Sequence, residues 1–161
     1  MVPVIAFVGR HNSGKTTLLC RIIGRLQERR IECAVIKHSH HLLTPDSYDS
    51  GKLYAAGAKQ VYLSTPQETL IYLREEQPLD KILGQIGAAA DIVFLEGFKQ
   101  SAYPKIEVIR TDVDPEPLKA SNVIARVIDG KGFDDGIPQF TFDQETELLE
   151  FIIEQIKSAR G

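Results

Sequence analysis

Eight residues near the start of the chain, Gly9-Arg10-His11-Asn12-Ser13-Gly14-Lys15-Thr16, leave little choice of architecture. They fit G-x-x-x-x-G-K-[ST], and their surroundings are those the pattern requires. Val2 to Val8 is a short β-branched run that reads as a fully buried strand. From Lys15 to about Arg29, Leu18, Leu19, Ile22, Ile23 and Leu26 recur at helical spacing, with Arg21, Arg25, Glu28 and Arg29 on the other face. A loop of this kind between strand and helix curls so that successive N–H groups face one concavity, and the helix N-terminus adds partial positive charge there. It is a phosphate site. Lys15 is expected to reach the β- and γ-phosphates, the Thr16 hydroxyl to bind Mg²⁺, and Thr17 to reach the α-phosphate.

Ile31 to Lys37 reads as a second strand, so the first 37 residues make a βαβ unit and imply a parallel sheet. After a polar stretch from His38 to Ser50, a short helix is expected to end at Ala56-Gly57. Lys59 to Leu63 and Thr69 to Arg74 read as two strands around a turn. Leu79, Ile82, Leu83 and Ile86 mark a helix, and Asp91 to Leu95 a further buried strand. Lys105 to Arg110 and Asn122 to Ile128 are strands joined by a Pro- and Asp-rich loop, Thr111 to Pro117. A Gly-containing loop, Asp129 to Pro138, precedes a last helix from about Gln144 to Ala159. The expected fold is α/β: a P-loop NTPase-like, mostly parallel sheet flanked by helices. It forms one domain over residues 1–161, with an antiparallel β-hairpin insertion at about 59–74.

Composition narrows the partners. Nineteen Lys and Arg against 22 Asp and Glu give a net charge of −3, which argues against a dedicated nucleic-acid binder. No run of about 18 apolar residues is present to span a membrane. The N-terminal apolar stretch lacks a basic n-region and runs into the loop motif, so it is not expected to be a signal peptide. Cys20 and Cys33 are most simply reduced thiols in a cytoplasmic protein.

A phosphate loop of this type needs a carboxylate at the end of another buried strand, to hold metal or position water. Glu96 supplies it, emerging after Ile92-Val93-Phe94-Leu95 at the carboxyl edge of the sheet, where ligands of α/β proteins bind. Asp91 starts the same strand and belongs to the opposite edge. All four histidines fall in two places, His11 within the loop and His38, His40 and His41 after the second strand, preceded by Lys37. No acid or thiol at ligand spacing accompanies them. The cluster, with Lys99, is therefore expected to form a positively charged rim for a second anionic ligand. Two competing functions share these features: a small-molecule kinase and a metal-insertion GTPase. The first generally needs a lid with closely spaced arginines, and only Arg110 and Arg126 lie between Arg74 and Arg160.

The loop motif, Lys37-His38-Ser39-His40-His41, Asp49-Ser50 with Ala56-Gly57-Ala58, and Leu95-Glu96-Gly97-Phe98-Lys99 occur in that order. Together they resemble the MobB family of molybdopterin-guanine dinucleotide biosynthesis adapter proteins. The resemblance runs from the first strand to about Arg110, with an echo at Val123-Ile124-Ala125 and Asp129. It implies a GTP-binding, Mg²⁺-dependent adapter with at most slow GTP hydrolysis, assisting a MobA-type guanylyltransferase that joins GMP to molybdopterin. Molybdopterin itself is a possible bound ligand. The resemblance also implies a homodimer formed through the extra β-strands. Tyr54 stands where the family often has Arg. No N-K-x-D motif reads guanine here, and Asp129, at the end of a strand, is the one well-placed candidate. The nucleotide-site candidates are thus Gly9, Arg10, His11, Asn12, Ser13, Gly14, Lys15, Thr16, Thr17, Lys37, His38, His41, Asp49, Lys99 and Asp129. Glu96 is the candidate catalytic residue and shares the metal with Thr16.

Overall fold

The computed structural model describes residues 2–39 and 49–160. The chain divides into two compact units, one made of residues 2–38 and 86–160, the other of residues 49–85. In the first, β1 (Val4–Val8), β2 (Cys33–Lys37), β5 (Ile92–Glu96), β6 (Lys105–Ile109), β7 (Val123–Ile128) and β8 (Gln139–Phe140) form one sheet. The strand order is β2-β5-β1-β6-β7-β8, and every neighbouring pair is parallel. The parallel α/β sheet expected from the βαβ pattern is present. β1 and β2 are nevertheless not neighbours, because β5 lies between them. The crossover through α1 thus skips one strand position. β2 is an edge strand, and Val35 is accordingly exposed within it.

Period-2 alternation gives the central strands two different faces. Ile5, Phe7, Ile92, Phe94, Ile106, Val108, Ala125 and Val127 pack with Leu18, Leu19, Ile22 and Leu26 of α1 (Lys15–Glu28). Leu148, Leu149, Ile152, Ile153 and Ile156 of α4 (Glu145–Arg160) complete the same core. Arg21–Glu145 and Arg29–Glu150 ion pairs tie the two helices together at their exposed margin. α4 begins where Thr141 and Gln144 exchange hydrogen bonds, the Gln144 side chain reaching back to the Thr141 N–H, half of a capping box.

The alternate face of β6 and β7 carries charge beside the hydrocarbon of Ile109 and Ile128. Lys105 and Glu107 are wholly buried and Arg126 nearly so. Each is satisfied. Lys105 Nζ donates to the Ser101 and Tyr103 carbonyls at 2.6 and 3.0 Å. Arg126, register partner of Glu107, donates from Nε to Glu107 Oε2 at 3.0 Å and also meets Asp135 at 2.6 Å. The other Glu107 oxygen accepts from the Leu118 N–H. Charged groups buried here are paired because an unpaired one would cost several kcal/mol. They also pin two irregular loops onto the sheet, one through Leu118 and one through Asp135.

In the second unit, α2 (Asp49–Ala55) leads to Gly57, whose φ of +113° ends the helix. β3 (Gln60–Ser64) and β4 (Thr69–Leu73) pair antiparallel, with Tyr62 opposite Ile71 and Leu63 opposite Leu70. This is the expected hairpin insertion. α3 (Leu79–Ile86) follows it in the sequence.

Candidate functional site

The loop between β1 and α1 has the backbone its sequence demands. Gly9 has φ +153° and Gly14 φ +87°, conformations that side chains other than glycine's disfavour. A Cβ on Gly9 would also run into the Val108 carbonyl oxygen of β6. The glycine therefore lets the loop lie against the neighbouring strand. Asn12, at φ +61°, is one of the few other residue types that tolerate this region. Ser13 is buried, whereas Arg10, His11, Asn12, Thr16 and Thr17 are exposed at the mouth of the loop.

The Lys15 ammonium folds back over its own loop. It donates to the Gly9 carbonyl at 3.1 Å, the Arg10 carbonyl at 2.5 Å and Ser13 Oγ at 3.4 Å. Burial pulls its pKa below the ordinary value; the Glu96 charge opposes this and the Lys37 charge adds to it. Held by neutral groups only, the ammonium is ready to exchange them for phosphate oxygens.

β5 pairs with both β1 and β2, so Glu96 stands opposite Phe7 on one side and Lys37 on the other. From that position Glu96 Oε1 accepts from Thr16 Oγ1 at 2.6 Å and from Lys37 Nζ at 2.9 Å. Lys37 Nζ is also 3.4 Å from Thr16 Oγ1. A hydroxyl and a carboxylate oxygen in contact make an all-oxygen donor pair, the hard set that suits Mg²⁺ rather than zinc. Thr16 and Glu96 fit the metal role expected of them.

The remaining candidates are distributed as follows. Arg10 is turned to the side and paired with Asp114 at 2.8 Å. Asp129 accepts from the Thr111 N–H at 2.8 Å, the Thr111 hydroxyl at 3.0 Å and Arg110 at 3.2 Å. Desolvation pulls the Asp129 carboxyl upward, but the bonds from Thr111 and Arg110 outweigh it and hold it below the usual carboxylate range. Part of the acceptor capacity a base would need is therefore already in use. Lys37 sits on Glu96 rather than standing clear as an anion rim, and His38 packs its ring against Phe98, centroids 5.2 Å apart. Lys99 is exposed on the turn after β5. Asp49 belongs to the second unit, where it pairs with Lys52 at 2.8 Å. His40 and His41 lie outside the described residues. Among the described residues no group of three His, Cys, Asp or Glu side chains could hold a metal ion.

Three neighbours of the loop went unread in the sequence. Arg110 lies with its guanidinium 3.8 Å over the Phe142 ring, and both come within 3.8 Å of where a Gly14 Cβ would be. Asp114 is the third, through Arg10. The Thr141-x-x-Gln144 helix start was a signal that could have placed Phe142; nothing local marks Arg110 or Asp114.

Comparisons with known proteins point to one family. The family model for MobB, molybdopterin guanine dinucleotide synthesis protein B, matches residues 4–129. A molybdopterin-guanine dinucleotide biosynthesis adapter protein of Haemophilus influenzae is 38% identical over 117 residues, covering 70% of this chain and 66% of that protein. A probable adapter protein of the same description from Bacillus subtilis is 29% identical over 96% of this chain and 94% of its own. The crystal structure of Bacillus subtilis MobB superposes with a TM-score of 0.79 at 27% identity, covering 95% of this chain and 97% of that one.

Proposed function

The chain belongs to the MobB family, and on that premise we propose that it is a GTP-binding adapter of molybdenum-cofactor biosynthesis. In this reading it assists the conversion of molybdopterin to molybdopterin guanine dinucleotide by a MobA-type guanylyltransferase. The observation that carries the nucleotide part is the contact of Thr16 with Glu96 beside a loop whose lysine is held only by neutral groups. The loop N–H groups and Lys15 bind the β- and γ-phosphates, and Thr16 and Glu96 hold Mg²⁺. When bound, the metal neutralises charge on the phosphate oxygens. Glu96 is also the group able to orient water, and slow hydrolysis at most is what the resemblance to the family implies.

The preference for GTP comes from the family, with Asp129 the residue at the proper strand end. Calorimetric titration with GTP, ATP and molybdopterin in parallel, Mg²⁺ present, tests the reading. Saturable GTP binding with weaker ATP binding supports it; no nucleotide binding refutes it.

We further propose a cytoplasmic homodimer. Among the described residues no helix is long and apolar enough to cross a membrane. Tyr62, Leu63, Leu70 and Ile71 leave the β3–β4 hairpin apolar and exposed, and a two-stranded ribbon is marginal by itself. A second copy would cover it by an isologous contact. Sedimentation should give about twice the 18.0 kDa chain mass, and Ile71→Pro should weaken the association.

A further inference from the structure

We infer that Lys37 is a tethered cation that holds the place of the divalent ion at the Thr16–Glu96 oxygen pair and must leave when the metal enters. The inference rests on the nucleotide reading above and concerns how that site is kept and loaded. One ammonium nitrogen lies 2.9 Å from Glu96 Oε1 and 3.4 Å from Thr16 Oγ1, which are themselves 2.6 Å apart. It therefore contacts both oxygen atoms proposed to hold the metal. Glu96 is only 8% exposed, and a carboxylate so enclosed requires a counter-charge. Lys15, the other lysine at the loop, is spent on the carbonyls of Gly9 and Arg10. Among the described residues Lys37 is the cation that neutralises Glu96 directly.

Its placement follows from the fold. Lys37 is the last residue of β2 and the register partner of Glu96, so its stem rises beside the carboxylate. Its side chain is 57% exposed, which leaves it free to swing out without unpacking the core. A metal taking Glu96 Oε1 and Thr16 Oγ1 would compete with the ammonium for the same two oxygen atoms. Mg²⁺ needs oxygen atoms at about 2.0–2.1 Å, and an ammonium has no lone pair to offer it. The loaded and unloaded states therefore differ by an exchange, metal in and Lys37 out. A simple phosphate-binding lysine would behave differently: removing it would weaken ligand binding, whereas removing a competitor tightens metal binding.

The test uses the full chain and Lys37→Met, which keeps the length of the stem and removes the charge. With Mn²⁺ alone as probe and no nucleotide, paramagnetic-resonance titration should show Lys37→Met binding Mn²⁺ about fivefold more tightly, the modest factor expected for a half-exposed ion pair. Adding Glu96→Gln to Lys37→Met should abolish the gain. Equal or weaker binding by Lys37→Met, or no Mn²⁺ binding by it at all, overturns the inference. In a second measurement, a fluorescent GTP analogue is titrated across a range of Mg²⁺. Lys37→Met should reach half-maximal affinity at about fivefold lower Mg²⁺ and match wild type at saturation. Loss of GTP affinity at saturating Mg²⁺ would make Lys37 a phosphate ligand and overturn the inference. Failure of both proteins to bind nucleotide would refute the proposed function, while the Mn²⁺ titration would still decide Lys37.

Discussion

Replacing Arg126 by Met removes the only cation that meets Glu107 and leaves that carboxylate, 0% exposed, with the Leu118 N–H as its partner among the described residues. Breaking a buried pair on one side costs about 3–5 kcal/mol, because the surviving charge keeps its desolvation penalty without its attraction. For a chain of 161 residues, where 1 kcal/mol corresponds to about 2–4 °C, the melting temperature should fall by about 10 °C. Glu107→Leu combined with Arg126→Met removes both charges and should recover most of the loss, since an apolar pair of similar volume is often neutral or stabilising. Thermal unfolding followed by circular dichroism of wild type, single and double variants measures the cycle. A single variant that melts within about 3 °C of wild type, or a double variant less stable than the single, would refute the account of this face. The same network anchors the loops that carry Asp114 and Asp135. Arg126→Met should therefore also loosen the loop that carries Asp135.

Lys15→Ala should abolish nucleotide binding and leave the melting temperature nearly unchanged, because its hydrogen bonds go only to the loop it serves; fluorescent-nucleotide titration decides. Glu96→Gln should largely keep nucleotide binding and reduce Mg²⁺-dependent hydrolysis, so equal hydrolysis rates in variant and wild type would count against its metal role. Gly9→Ala forces a Cβ against the Val108 carbonyl at a φ alanine disfavours, and should cost at least about 2 kcal/mol in a urea titration. Asp129 has its folded pKa lowered, so its contribution is complete above its unfolded value of about 3.9 and is lost as pH falls through the lower folded value. Asp129→Asn should flatten the acid limb of the stability curve below about pH 4, with little change in its shape at neutral pH.

The short-range physics of this chain was readable without coordinates. Apolar runs marked β1, β5, β6 and β7, helical spacing marked α1 and α4, and two glycines with a Lys-Thr pair marked the loop between β1 and α1. Glu96 could be assigned to the carboxyl edge because four apolar residues precede it on a buried strand. These features depend on residues close in sequence, whose spacing alone sets which side of a strand or helix they occupy. The two-residue β8 carried too little pattern to be seen. Strand order belonged to the tertiary structure: a βαβ unit specifies parallel strands but not which strand enters between them. The insertion of β5 between β1 and β2 is what sets Lys37 against Glu96 as its counter-ion. Likewise, Glu107 and Arg126 are charged positions in otherwise apolar strands, and only their pairing across β6 and β7 and with two loops makes their burial stable. Charge in a sequence has a position but no partner, and burial is tolerable only once the fold supplies one.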